Sequence, residues 1–135
     1  MDTFRVAFSP ERDTLSNVRH SLAGWARGCG LSEHAVADVV VAAGEAIENA
    51  IEHGRDRFFV IEGLCDNRVL EVAVHDKGGG FDAEGMGSPA PPELLGQRGL
   101  GIYLMRALTD ETRFHWRDDG MTVTLKKNIT VPDVR

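Results

Sequence analysis

The run from Val40 to Gly54, VVAAGEAIENAIEHG, constrains the fold more than any other part of this chain. At about 100° per residue, Val36, Val39, Val40, Ala43, Ile47, Ala50 and Ile51 gather on one face of a long helix. Asp38, Glu45, Asn49 and Glu52 fall on the opposite face. Glu45 and Asn49 are four apart, so their side chains stand one turn above each other and point the same way. A carboxylate so placed takes up a proton, and an amide oxygen beside it ligates a hard cation. Taken alone, a polar stripe behind an apolar face is more often a solvated surface. What it means here depends on the segments that follow.

The 135 residues predict one domain with a sizeable core. Hydrophobic residues at 42% and charged residues at 27% describe an ordinary globular composition. Fifteen Lys and Arg against 21 Asp and Glu give a net charge of −6. That balance argues against nucleic-acid or anionic-membrane binding, because there is no basic surplus to displace counterions. A phosphate ligand would have to be held locally, by backbone amides, a metal ion or one or two placed arginines. No apolar run approaches a membrane span and the N-terminus has no signal-peptide pattern, so a cytoplasmic protein is expected. Cys29 and Cys65 lack metal-site spacing and read as buried free thiols of a reducing compartment, ahead of a structural disulfide.

Along the chain, Phe4, Val6 and Phe8 alternate with Arg5 and Ala7 as in a half-buried strand. Pro10 and Glu11 suit a helix start; Leu15, Val18, Leu22, Trp25 and Cys29 continue at helical spacing until Gly28 and Gly30. Ser32 is a good N-cap for the long helix, which Gly54 closes. Phe58 to Leu64 and Val69 to His75 read as a hairpin about Asp66-Asn67-Arg68, and the second strand runs directly into DKGGGFD, residues 76–82. Residues 83–98 crowd glycines and prolines with little periodicity, which predicts a flexible lid. Gly99-Leu100-Gly101 then opens a helix ending near Thr109-Asp110. Thr112 to Trp116 and Met121 to Lys127 read as strands about a tight turn at Asp118-Asp119-Gly120, and residues 128–135 as a frayed tail.

Three signals therefore stand in order: a Glu-x-x-x-Asn helix, a strand ending in Asp-x-Gly-x-Gly, and a lid ending in Gly-x-Gly at a helix start. Each alone is weak, since glycines after a strand usually serve a turn. Together, the order resembles the Bergerat ATP-binding fold shared by gyrase, chaperones of the Hsp-ninety class, histidine kinases and MutL proteins (the GHKL superfamily). Within it, the chain looks most like the anti-sigma factor serine/threonine kinases of bacterial partner-switching systems. EAIENAIEHG (45–54), HDKGGGFD (75–82), RGLGIYLM (98–105) and GMTVTL (120–125) carry the likeness, which spans nearly the whole chain.

The resemblance implies a two-layer α/β (α+β) sandwich, with a mixed, mostly antiparallel sheet under three helices. It implies ATP with Mg2+. Asp76 would accept a hydrogen bond from the exocyclic amine of adenine, where guanine offers an oxygen. Gly78 and Gly80 would let backbone lie against the base and the lid. Gly99, Leu100 and Gly101 would turn amides at a helix N-terminus toward the triphosphate. Asn49 would ligate the metal, Glu45 would act as general base toward a substrate hydroxyl, and Arg98 would reach the γ-phosphate. The implied partners are a sigma factor and an anti-sigma factor antagonist, the phosphorylation substrate, and a second copy in a homodimer.

Lys77 within the glycine box and His53 at the helix end are expected to face water and the helix dipole respectively; neither His53 nor His34 has zinc-site spacing. An autophosphorylating histidine kinase would need a phosphoacceptor on a separate hairpin. His20 lies mid-helix without those surroundings, so autophosphorylation is not expected. The alternative function is a binding module that grips a sigma factor or antagonist, with ATP as a structural ligand and little phosphotransfer.

Overall fold

The computed structural model describes residues 2–10, 13–78, 92–117 and 120–129. Along the chain run β1 (Asp2–Phe8), α1 (Leu15–Gly28), α2 (Glu33–His53), β2 (Gly54–Cys65), β3 (Val69–Gly78), α3 (Pro92–Leu108), β4 (Glu111–Arg117) and β5 (Gly120–Asn128). Among the described residues, three helices and one five-stranded sheet make the expected two layers.

The sheet order is β1-β2-β3-β5-β4, and every neighbouring pair is antiparallel. The expected mixed sheet is corrected in this respect. The connection β3–α3–β4 does return a strand parallel to β3. The β4–β5 hairpin, however, slots β5 between them, so the two parallel strands never touch. A continuous apolar row crosses all five strands in register: Val6 opposite Ile61, Ile61 opposite Val74, Val74 opposite Val123, and Val123 opposite Phe114.

All three helices cover that face. α1 packs on β1, α3 on β4, and α2 on β2, β3 and β5 as well as on both other helices. Val36, Val39, Ala43, Ile47 and Ala50 are buried as the periodicity predicts, joined by Ala42 and Ala46 because α2 is enclosed on three sides. A fully buried side chain such as Ile47 or Ile61 contributes about 1.5–3 kcal/mol. Asp38, expected on a solvated face, instead accepts from Lys127 Nζ at 3.0 Å, and Lys127 also donates to the Leu108 carbonyl at 2.9 Å. One ammonium thus ties the start of α2, the end of β5 and the last turn of α3.

Local chemistry fixes the boundaries. α1 starts at Leu15 rather than at Pro10, because the Thr14 hydroxyl caps it by accepting the Asn17 N–H at 3.1 Å. Before that cap, Ser9 and Asp13 close a turn on each other: each backbone N–H donates at 2.8 Å, to the Asp13 carboxylate and the Ser9 carbonyl. Ser32 caps α2 as expected, accepting the Ala35 N–H at 3.1 Å. α3 starts at Pro92, ahead of the expected Gly99; a proline in the first turn leaves no donor unsatisfied there. Residues 83–91 of the expected lid, the turn at Asp118-Asp119 and the tail beyond Ile129 lie outside the described residues.

Cys29 and Cys65 are joined in a disulfide with Cα atoms 6.5 Å apart, which corrects the free-thiol reading. Cys29 caps the C-terminus of α1 and Cys65 ends β2. Packing α1 over the β1 edge sets these two ends side by side, which spacing along the chain could not reveal.

Gly63 on β2 lies under Trp25. An added Cβ would come within 2.5 Å of the indole ring, and that ring is stacked on Phe4 with centroids 5.4 Å apart. Gly63→Ala is expected to cost about 1–3 kcal/mol through overpacking, read as a lowered midpoint in urea; an unchanged midpoint would show that the ring moves freely. In the β2–β3 turn, Asp66 Oδ1 accepts the N–H groups of Arg68 at 2.7 Å and Val69 at 2.9 Å. These two backbone bonds, the Arg68 one foremost, hold its carboxyl below the usual range. A depressed carboxylate stabilises the fold above its unfolded pKa of about 3.9 and loses that contribution as pH falls through the folded value. Asp66→Ala should therefore lower Tm at neutral pH, with the gap to the parent narrowing in acid.

Candidate active site

β3 delivers Asp76 into the core at its far end. It faces Phe59 across the ladder to β2, is 3% exposed, and its Oδ1 accepts the Met121 N–H of β5 at 3.4 Å. Alternation along β3 dictates this, since Leu70, Val72, Val74 and Asp76 all point toward the helices. A carboxylate at the end of an apolar row is costly to bury without a purpose.

α2 passes over this end of the sheet and carries Glu45 and Asn49. Asn49 is 6% exposed, and its Nδ2 is buried with no hydrogen-bond partner among the described residues. A buried amide left unpaired costs about 1–3 kcal/mol, and such groups call for an explanation. Oxygen and nitrogen of an amide are assigned from their surroundings, so the whole group is what matters. An enclosed amide lacking a protein partner fits a hard cation on its oxygen and a phosphate oxygen on its N–H.

Glu45 is half-buried one turn earlier. Its carboxylate rests against α3, where a Cβ added to Gly101 would lie 3.1 Å from Oε2. Burial raises its pKa above the ordinary glutamate value, and the neighbouring charge of Glu48 adds to this. The Arg19 guanidinium opposes the shift, and a hydrogen bond with Glu48 raises it a little more. A carboxyl moved toward neutrality is better matched to proton transfer than an exposed one. The structure thus brings Glu45 of the first motif against Gly101 of the third.

Gly78 ends β3 opposite Gly54. Arg98, Gly99, Leu100 and Gly101 all lie inside α3, so Gly99 and Gly101 are not at its N-terminus as expected. Leu100 is exposed. Gly80 falls outside the described residues. Lys77 belongs to β3, and His53 is the last residue of α2.

Sequence reading missed Arg19, Glu48 and Gly44. Arg19 of α1 pairs with Glu48, Nη2 to Oε1 at 3.5 Å, and its guanidinium lies on the backbone of Gly44. A weak signal was present: an isolated glycine inside a helical pattern costs about 1 kcal/mol relative to alanine, so Gly44 stood out.

The profile of the histidine kinase-like ATPase domain matches residues 8–127. The serine-protein kinase RsbW of Listeria monocytogenes serovar 1/2a is 32% identical over 143 residues, covering 98% of this chain and 89% of the relative. RsbW of Bacillus cereus is 32% identical over 123 residues, covering 83% and 76%. The crystal structure of the RsbU and RsbW domains of a Mycobacterium tuberculosis protein superposes with a TM-score of 0.73 at 22% identity, over 98% of this chain and 34% of that one; this is a likeness of fold. With residues 8–127 matched and a third of the positions shared with serine-protein kinases, the chain belongs to the histidine kinase-like ATPase family, among the relatives of RsbW.

Proposed function

We propose that the chain is an ATP-dependent serine/threonine protein kinase and anti-sigma factor, which grips a sigma factor and phosphorylates the antagonist that competes for it. The observation that carries this reading is the pairing on α2 of a half-buried carboxylate, Glu45, with the buried Asn49 one turn on, whose Nδ2 has no hydrogen-bond partner among the described residues. The relatives are named serine-protein kinases, which fits a site built for proton acceptance beside a cation.

In this reading Asp76 accepts a hydrogen bond from the adenine amine, Gly78 and Gly80 leave room for the base, and Arg98 meets the γ-phosphate. The backbone of Gly99, Leu100 and Gly101 lines the triphosphate, which requires the first turns of α3 to open when nucleotide enters. Asn49 would hold Mg2+, which would supply positive charge to offset that of the phosphates. The substrate hydroxyl oxygen bonds to the γ-phosphorus, the bond from phosphorus to the β–γ bridging oxygen breaks, ADP leaves, and the hydroxyl proton passes to Glu45. No covalent enzyme intermediate is needed, only positioning and charge neutralisation. The same reading takes the chain as a cytoplasmic homodimer. Among the described residues no helix is long and apolar enough to cross a membrane.

Labelled ATP mixed with the chain and its antagonist tests the proposal. Wild type should transfer label, while Glu45→Ala should lose about 100-fold or more of the rate with Mg-ATP affinity intact. Because Glu45 must be ionised to act and its pKa is raised, the acid limb of the rate profile should lie above that of an ordinary glutamate. Nucleotide bound with no label transferred would leave a binding module instead. Asp76→Asn should weaken Mg-ATP by roughly 5- to 100-fold in calorimetry, the loss of a matched buried acceptor at about 1–3 kcal/mol. Mg-GTP should give far less heat than Mg-ATP, and equal affinities would remove Asp76 from base recognition.

A further inference from the structure

The start of β1, the end of β2 and the cap of α1 meet at the end of the sheet away from Asp76. Asp2 lies directly opposite Cys65 in the β1–β2 ladder, and Cys29 closes α1 beside them. Alternation puts Asp2 on the same face of β1 as Phe4, whose ring is stacked on Trp25 of α1. A carboxylate oxygen of Asp2 and the two sulfurs all lie within 4.8 Å of one another. Cys65 is buried, Cys29 half-buried and Asp2 exposed, so the group is open to water on one side. There a cavity of about 420 Å3 is lined also by Gly28, Asp66 and Asn67. Two carboxylates thus border the cavity, and among the described residues no lysine or arginine lines it. The C-terminal end of the α1 dipole adds partial negative charge. Arg27, the basic residue of that last turn, is paired with Glu33 at 2.9 Å.

We propose that Asp2, Cys29 and Cys65 form a zinc site gated by the redox state of the two cysteines. In the disulfide the sulfurs are bonded to each other and hold no ion. A dithiol reductant breaks that bond: its two electrons pass to the sulfurs, each sulfur takes up a proton, and the reductant leaves as its own disulfide. Zn2+ then displaces the two protons and takes both thiolates and the Asp2 carboxylate as ligands, with a water from the cavity as the fourth. Two thiolates with one carboxylate suit zinc better than the harder magnesium or calcium. Zinc–sulfur bonds of about 2.3 Å set two sulfurs on one tetrahedral ion roughly 3.8 Å apart. The Cα atoms of Cys29 and Cys65, 6.5 Å apart, allow that separation by side-chain rotation. Disulfide and zinc are thus alternative clasps on the same three elements, β1, α1 and β2.

This site stands apart from the kinase reading, because the β2–β3 ladder separates Cys65, opposite Leu70, from Asp76, opposite Phe59. The full chain is titrated with Zn2+ as the disulfide and after reduction by a phosphine, in competition with a chromophoric chelator. The reduced chain should take one equivalent with a Kd of about 1 μM or below. The oxidised chain should bind at least about 100-fold more weakly, having lost both thiolates. Co2+ in place of Zn2+ should give sulfur-to-metal charge-transfer absorption in the reduced chain only. Zn2+ should raise the Tm of the reduced chain toward that of the disulfide form, whether or not reduction alone loosens the fold. Asp2→Ala, at the exposed start of β1, keeps both thiols and should weaken Zn2+ by about 10-fold or more. Cys29→Ser combined with Cys65→Ser should abolish binding and the charge-transfer band. Zn2+ held equally well by the oxidised chain or by the double serine variant places the ion elsewhere and overturns the proposal. A reduced chain that takes up no Zn2+, or an Asp2→Ala affinity equal to the parent's, overturns it too.

Discussion

α2 lies over the middle strands of the sheet, with α1 above the β1 edge and α3 above the β4 edge, and the remaining architecture depends on that enclosure. A helix covered on three sides keeps a single solvated stripe, with His34, Val41 and Glu48 exposed, and the polar residues beside that stripe are partnered or enclosed. Asp38 takes the first course through Lys127. Asn49 is enclosed, and Glu45 is half-buried against α3. The same polar stripe on an edge helix would have been a wetted surface.

Close approach at glycines makes the enclosure possible. Gly63 lets the Trp25 ring lie flat on β2, Gly101 lets α3 meet the Glu45 carboxylate, and Gly44 admits a guanidinium to the backbone of α2. The three neighbours differ in how readily they yield. An indole pinned by Phe4 is rigid, a carboxylate turns, and the end of an arginine moves freely, so the three glycines constrain packing, site and electrostatics respectively.

Charge near the site is arranged locally in a chain whose net charge is negative. Glu45 feels burial first, then Glu48, with Arg19 in opposition. A chain of this net charge offers a phosphate ligand no general basic field. The RsbW relatives extend that frame to a kinase family, and the chain's 32% identity with them runs the length of the domain.

Much of this was legible beforehand because it is short-range. Periodicity in residues 36–51 marked the core face of α2, the Asp66 turn announced its hairpin, and Ser32 announced its cap. The order of the three motifs, together with their resemblance to a known family, pointed to the ATPase fold. Distant pairings were not legible, because they depend on which surfaces meet after the chain has turned back on itself. Packing of α1 on the sheet edge put Cys29 beside Cys65 and Arg19 over Gly44; insertion of β5 kept β3 and β4 apart and the sheet antiparallel. Consecutive residues determined the elements, their inward faces and the turn chemistry, since each is settled within a few residues by sterics and hydrogen bonding. Tertiary packing alone decided the disulfide, the burial of Asn49 and the charges that surround Glu45, since each needs two segments remote in the chain to share one volume from which water is excluded.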